Sequence, residues 1–157
     1  MGYKPHGSID LHIHSTASDG TLTPAEVVAH ACRLGLAAIA ITDHDTVDGV
    51  PEILKNGFPR AIHFLSGVDL STAPPPEFPC QGRLHLLGYG FRYDDSDLAG
   101  QLHTVLDAGR KRNPRIIAKL QALGLDITGV VLDPPGAKRQ RGRPPMAQLL
   151  VGVGLAA

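Results

Sequence analysis

His12 and His14 stand two residues apart in Ser8-Ile9-Asp10-Leu11-His12-Ile13-His14, where apolar and polar residues alternate. Alternation with period two is the pattern of a strand, so the two imidazoles share one face, about 7 Å apart along the chain. Asp19 follows in the next loop, and Asp43-His44-Asp45 comes directly after an apolar run. Asp69 closes a third extended segment and His85 opens a fourth. Imidazoles and carboxylates gathered in one shallow cup are ligands for Zn, Mn or Fe. A cup with this many nitrogen and oxygen donors has room for more than one ion, and paired ions bind both an attacking hydroxide and phosphoryl oxygens.

Taken singly, each signal has a bland explanation. A His-x-His pair is commonly a strand with two polar residues, and Asp43-His44-Asp45 alone reads more simply as a helix-capping turn. Chemistry is favoured by the elements that carry these motifs. Residues 8–14 read as a strand, and Ala17-Ser18-Asp19-Gly20-Thr21 as a turn. Thr23-Pro24-Ala25-Glu26 is a capping box that opens a helix running to about Leu34, with Gly35 as its stop. Val27, Val28, Ala31 and Leu34 are its expected inward face, and Cys32 is expected to pack on that side rather than act as a nucleophile. Residues 36–42 form a near-continuous apolar run, expected to be a strand buried on both faces. Strand, helix and strand over this length make a parallel βαβ unit. Its strand ends lie side by side at the C-terminal edge, where open α/β sheets and barrels build their sites. His12, His14, Asp19 and His44 should therefore converge, with Asp69 and His85 beside them. His6, His30, His63 and His103 fall outside this constellation and are assigned surface or structural roles.

Further along, a helix is expected over residues 47–56 and a strand over 61–70. Pro74-Pro75-Pro76 opens a loop ending near Arg83, and a fourth strand over 84–91 should be distorted by Gly88 and Gly90. Residues 95–123 read as helical, with a break or kink at Asn113-Pro114. Residues 133–143 read as a basic, Pro- and Gly-rich loop. Residues 146–157 open as an apolar helix with no charge or cap, and this end reads as cut short relative to a larger ancestor.

Composition places the chain among ordinary globular proteins. Of its 157 residues 43% are hydrophobic and 19% charged, which excludes disordered, collagenous and disulfide-scaffold classes. No apolar run approaches the ~20 residues of a membrane span, and the N-terminus lacks the apolar stretch of a signal peptide. Cys32 and Cys80 form neither a disulfide framework nor a metal-knuckle spacing, so a reducing, cytoplasmic setting is the default. The balance of 15 bases against 15 acids hides an asymmetry. Residues 1–97 hold 12 of the acids and 6 of the bases, whereas residues 110–143 hold the other 9 bases and only Asp126 and Asp133. An acidic, His-rich front suits cations and a basic back suits anions, although a basic run alone reads equally well as solvated helix faces and loops.

Residues 9–20, Ile-Asp-Leu-His-Ile-His-Ser-Thr-Ala-Ser-Asp-Gly, followed by Ile39-Ala40-Ile41-Thr42-Asp43-His44-Asp45-Thr46, resemble the opening of a PHP domain. This is the polymerase and histidinol phosphatase family of metal-dependent phosphoesterases. Gly67-Val68-Asp69-Leu70-Ser71 and His85-Leu86-Leu87-Gly88-Tyr89-Gly90 resemble its next two blocks. Residues 110–123 and Gly142-Arg143-Pro144 are similar to its small bacterial branch that acts on nucleotides.

The resemblance implies an α/β fold, a partial PHP-type distorted (β/α)7 barrel. Residues 1–93 would supply N-terminal βα units with the metal motifs, and residues 94–157 a basic segment from a helical insertion. It implies up to three divalent ions, Mn first with Zn or Fe as alternatives, and fewer in this chain. His12 and His14 would hold the first, Asp19 and His44 the second; Asp69 would bridge first and third, and His85 would bind the third. Relatives in this branch remove the 3′-phosphate of nucleoside 3′,5′-bisphosphates or trim 5′-phosphorylated RNA, so a nucleotide or short RNA is the implied substrate. Arg143 is the implied phosphate clamp, with Arg110 binding phosphate beside it and Arg112 and Arg115 adding attraction.

Three departures stand out. Asp69 takes a position usually held by Glu, and Pro145 one held by a ligand His. The family also continues through a long stretch that supplies an Asp and a His to the first two ions. Two functions follow as expectations: a metal-dependent phosphoesterase, or a catalytically degenerate metal- or nucleotide-binding module. A homo-oligomer burying the apolar C-terminus is the expected assembly, with no membrane partner.

Overall fold

Thr23 opens the first helix as its neighbours require. In the computed structural model, which describes residues 7–77, 84–127 and 150–151, the Thr23 backbone is extended and its hydroxyl accepts the Glu26 N–H. The Glu26 carboxylate accepts the Thr23 N–H at 2.8 Å in return. Helix α1 (Pro24–Leu34) then runs until Gly35 turns left-handed at φ 66°. There the Leu36 N–H reaches back to the Ala31 carbonyl, a Schellman-type closure. This closure corrects the expected inward face. Leu34 is 62% exposed, because Leu36, carried back over the helix end, takes the place against the core. Cys32 is likewise exposed rather than packed, lying about 100° round the helix from buried Ala31.

The other elements are β1 (Ile9–Ile13), β2 (Ala38–Ile41), α2 (Gly49–Asn56), β3 (His63–Thr72), β4 (Leu84–Tyr89) and α3 (Ser96–Ala122). They divide into two compact units, Met1–Ser96 and Asp97–Ala157. The first is an α/β unit built on a curled, mixed sheet of order β1-β2-β3-β4. Strands β1, β2 and β3 are parallel, joined by the expected βα crossovers. Its core gathers Val27 and Ala31 of α1, Ile39 and Ile41 of β2, Ile53 of α2, and Ile62, with Ile13, Leu36 and Phe64 packed against them. Ile39, Ala40 and Ile41 are all buried, as a central strand covered on both faces should be.

Two irregularities matter for the site. Between Asp10 and Ile13 the β1 chain holds one more residue than its partner segment from Ile39 to Ile41, a bulge in the stretch that carries His12. Bulges re-aim side chains in this way. Strand β4 pairs with β3 antiparallel, in even register from Thr72 opposite Leu84 to Gly67 opposite Tyr89. The expected glycine distortion is absent: Gly88 keeps register, and Gly90, with φ 70°, lies just beyond the strand.

In the second unit α3 buries Leu102, Gly109 and Asn113 along one stripe. It continues through Pro114, so the expected break does not occur; over 27 residues the proline removes one backbone hydrogen bond and leaves the rest of the ladder. Most of the segments expected over 133–143 and 146–157 lie outside the described residues, though residues 150–151 are helical. Among the described residues no helix is long and apolar enough to cross a membrane.

Candidate metal centre

All six of the front-half candidates meet at one rim of the sheet. Asp69 is at the centre and 1% exposed. Its Oδ2 lies 3.4 Å from His12 Nε2, 3.9 Å from His14 Nε2 and 3.3 Å from His44 Nδ1, and its Oδ1 lies 2.8 Å from His85 Nδ1. Asp19 spans the other side, 3.5 Å from His14 Nδ1 and 3.7 Å from His44 Nε2. The rings follow one another as His12, His14, His44 and His85, with centroids 5.1, 4.3 and 5.1 Å apart.

Strand polarity explains the convergence. His12 and His14 close β1, His44 follows β2, and Asp69 stands near the end of β3. An isolated bridge between His44 and Asp69 prolongs the parallel pairing to the rim. His85 opens β4, and only the antiparallel direction brings a strand's first residues to this edge; it sits opposite Ser71.

The donor set suits divalent cations. Three groups, His12 with His14 and Asp69, His14 with Asp19 and His44, and His44 with Asp69 and His85, each offer ligand atoms within 4.8 Å of one another. Among the described residues, His14 Nδ1 and His44 Nδ1 are buried and make no hydrogen bond. A buried nitrogen that makes no hydrogen bond carries a desolvation cost that a metal ion would offset. Burial, and next the neighbouring His44, hold the His14 imidazole below its ordinary value against the pull of Asp19. That favours the neutral ring that metals require.

Behind the rim stand residues that sequence reasoning named without a role. Asp43 is 1% exposed, and its carboxylate accepts the Ser15 N–H (2.7 Å), the Ser15 hydroxyl (2.7 Å) and the Ser18 hydroxyl (2.6 Å). Asp45, left-handed at φ 55°, accepts the Ser71 N–H at 2.7 Å. The Tyr89 hydroxyl donates to the Leu11 carbonyl (2.9 Å), within the bulged stretch that carries His12. The signal for Asp43 was alternation: if His44 faces the cup, the residue before it faces away and needs donors of its own, whereas Asp45 sits in a left-handed turn that alternation does not describe.

Of the two arginines expected at phosphate, Arg110 lies on α3 and pairs with Asp107 at 3.2 Å, and Arg143 lies outside the described residues. His30, His63 and His103 are exposed and take no part in the cluster; His30 pairs with Arg33 and His103 with Asp107. His6 is outside the described residues.

Comparison with known proteins places the chain in a family. A 3′,5′-nucleoside bisphosphate phosphatase of Chromobacterium violaceum is 36% identical over 120 residues, covering 75% of this chain and 40% of the relative. A 5′-3′ exoribonuclease of Haemophilus influenzae is 34% identical over 117 residues, 74% of this chain and 40% of its own. The chain thus spans about 40% of the length of these curated relatives. A solved structure of an amidohydrolase from Chromobacterium violaceum, with bound sulfate and no metal, shares the fold with a TM-score of 0.76 at 31% identity. The match covers 94% of this chain and 51% of that one. The family model described as the PHP domain matches residues 10–127, which hold all six clustered residues, and the chain belongs to the PHP domain family.

Proposed function

We propose that the chain carries the metal-binding part of a phosphoesterase that hydrolyses phosphate esters of nucleotides, a nucleoside 3′,5′-bisphosphate or a short 5′-phosphorylated RNA. The observation that carries this reading is the sharing of Asp69 among four imidazoles, with Asp19 closing the far side. Such sharing suits adjacent cations better than one isolated ion. The names of the two curated relatives support the substrate class, and the sulfate in the Chromobacterium structure is a tetrahedral oxyanion like phosphate.

His12 and His14 would hold one ion, Asp19 and His44 a second, and His85 a third, with Asp69 available to the first and the third and Mn the first candidate. Bound divalent cations supply the positive charge that draws phosphoryl oxygens and acidifies an attacking water. The chain's own part is to present neutral imidazoles and ionised carboxylates at fixed spacing. Arg110 and Arg143 would add charge for the phosphate of the substrate. The cysteine pattern suits a cytoplasmic enzyme, and a homo-oligomer is the assembly to look for.

The test is phosphate and nucleotide release from a nucleoside 3′,5′-bisphosphate and a 5′-phosphorylated RNA, with Mn and with chelator, beside His44→Ala. Mn-dependent release that the variant loses is expected. Turnover unchanged in His44→Ala would overturn the assignment, and metal binding without release would favour the degenerate binding module.

A further inference from the structure

His44 is flanked by two carboxylates that do not join the cluster. Asp43 reaches back to the segment between His14 and Asp19, where Ser15 and Ser18 give it three hydrogen bonds of 2.6–2.7 Å. The Ser15 hydroxyl, having donated to Asp43, accepts the Ala17 N–H at 3.0 Å, so the turn toward Asp19 is tied through the same side chain. Gly49 leaves the space: a Cβ there would stand 2.8 Å from Asp43 Oδ2. Asp45 reaches the opposite way, to the Ser71 N–H, and Ser71 is the register partner of His85. Its own N–H donates to the Asp69 carbonyl at 2.9 Å, and its left-handed backbone allows both bonds at once.

We infer, resting on the metal-centre reading above, that Asp43 and Asp45 are positioning residues with separate charges: Asp43 sets His14 and Asp19 against His44, and Asp45 sets Asp69 and His85 against it. Neither needs to touch an ion. A carboxylate with three charge-assisted bonds fixes a loop far more tightly than backbone contacts alone. Outer partners of this kind typically govern metal affinity by about 10- to 100-fold. A general weakening of the fold would affect every ion alike, whereas the two carboxylates should act on different ones.

The experiment is calorimetric titration of the whole chain with MnCl2, for the wild type, Asp43→Asn, Asp45→Asn, and each of these combined with Asp19→Ala or His85→Ala. Asp43→Asn is expected to weaken Mn binding roughly 10- to 100-fold in the His85→Ala background and to add markedly less in the Asp19→Ala background. Asp45→Asn should show the reverse. Ser18→Ala should reproduce part of the Asp43 effect and Ser18→Thr, which keeps the hydroxyl, should restore it. Losses that add equally in both backgrounds, or wild-type affinity in both single variants, overturn the inference while leaving the metal centre standing. A wild-type chain that binds no Mn removes the metal-centre reading and this one together.

Discussion

Replacing Gly49 by alanine sets two effects against each other, and the structure says which wins. Gly49 is the first residue of α2, where alanine would gain at most the roughly 0.5–1 kcal/mol it gains in a helix interior. The added Cβ, however, would meet Asp43 Oδ2 at 2.8 Å, Ser15 Oγ at 3.3 Å and Pro24 Cγ at 3.4 Å. The carboxylate cannot swing aside freely, since it is buried and held by three donors. Weakening even one hydrogen bond to a buried charge costs roughly 1.5–3 kcal/mol, more than the propensity gain. The net expectation is a loss of about 1–2 kcal/mol, read as a lower urea midpoint at unchanged slope, together with weaker Mn binding. Gly100→Ala, inside α3 with open space where its Cβ would stand, is the control and should gain roughly 0.5–1 kcal/mol. A Gly49→Ala chain as stable as the wild type, or more so, would refute the account of Asp43 as a fixed, fully bonded group.

Ile39→Ala should cost about 2–5 kcal/mol because Ile39 is 0% exposed, whereas Leu34→Ala should stay within about 0.5 kcal/mol; urea titration of both variants checks the order. The Thr23 N–H, and after it the Thr23 hydroxyl, hold the Glu26 carboxyl below the ordinary glutamate range. Its contribution is therefore present above the unfolded value and lost as pH falls through the folded one, so the urea midpoints of wild type and Glu26→Gln should converge on acidification; a gap that widens contradicts the capping box. Mn at a hundred times its dissociation constant should add about 2.7 kcal/mol of stability for each site it fills, and chelator should remove it; melting unaffected by either would count against a metal centre.

Much of this was legible because local chemistry and tertiary use agree. The Thr23 box, the Gly35 stop and the apolar run through Ile39 and Ile41 each specify an element without outside help. The clustered residues were legible because parallel strands deliver their ends to one rim. What was not legible depends on neighbours. Leu34 has the right spacing for the core, yet the turn at Gly35 hands that role to Leu36. The direction of β4 was not legible from length either: the expected strands over 61–70 and 84–91 leave thirteen residues, enough for a parallel crossover, and only the extension of β3 to Thr72 cuts the connection to eleven. Asp43 was visible as part of a motif, but its donors lie in a segment remote in sequence, and only folding brings Ser15 and Ser18 to it.

The reversal of β4 also bears on how chain entropy is distributed over the cup. Ser71 and His85 are closer in sequence than Ala38 and His63, or Asp10 and Ile39, which pair across whole helices. Loop-closure entropy rises by roughly 0.6 kcal/mol for each doubling of the separation. A parallel pairing must in addition order the crossover that spans it. The β3–β4 hairpin is thus the least demanding closure in the sheet, and it alone already sets Asp69 against His85 at 2.8 Å. The carboxylate shared by all four imidazoles belongs to the piece of sheet that needs the least of the remaining chain in order to form.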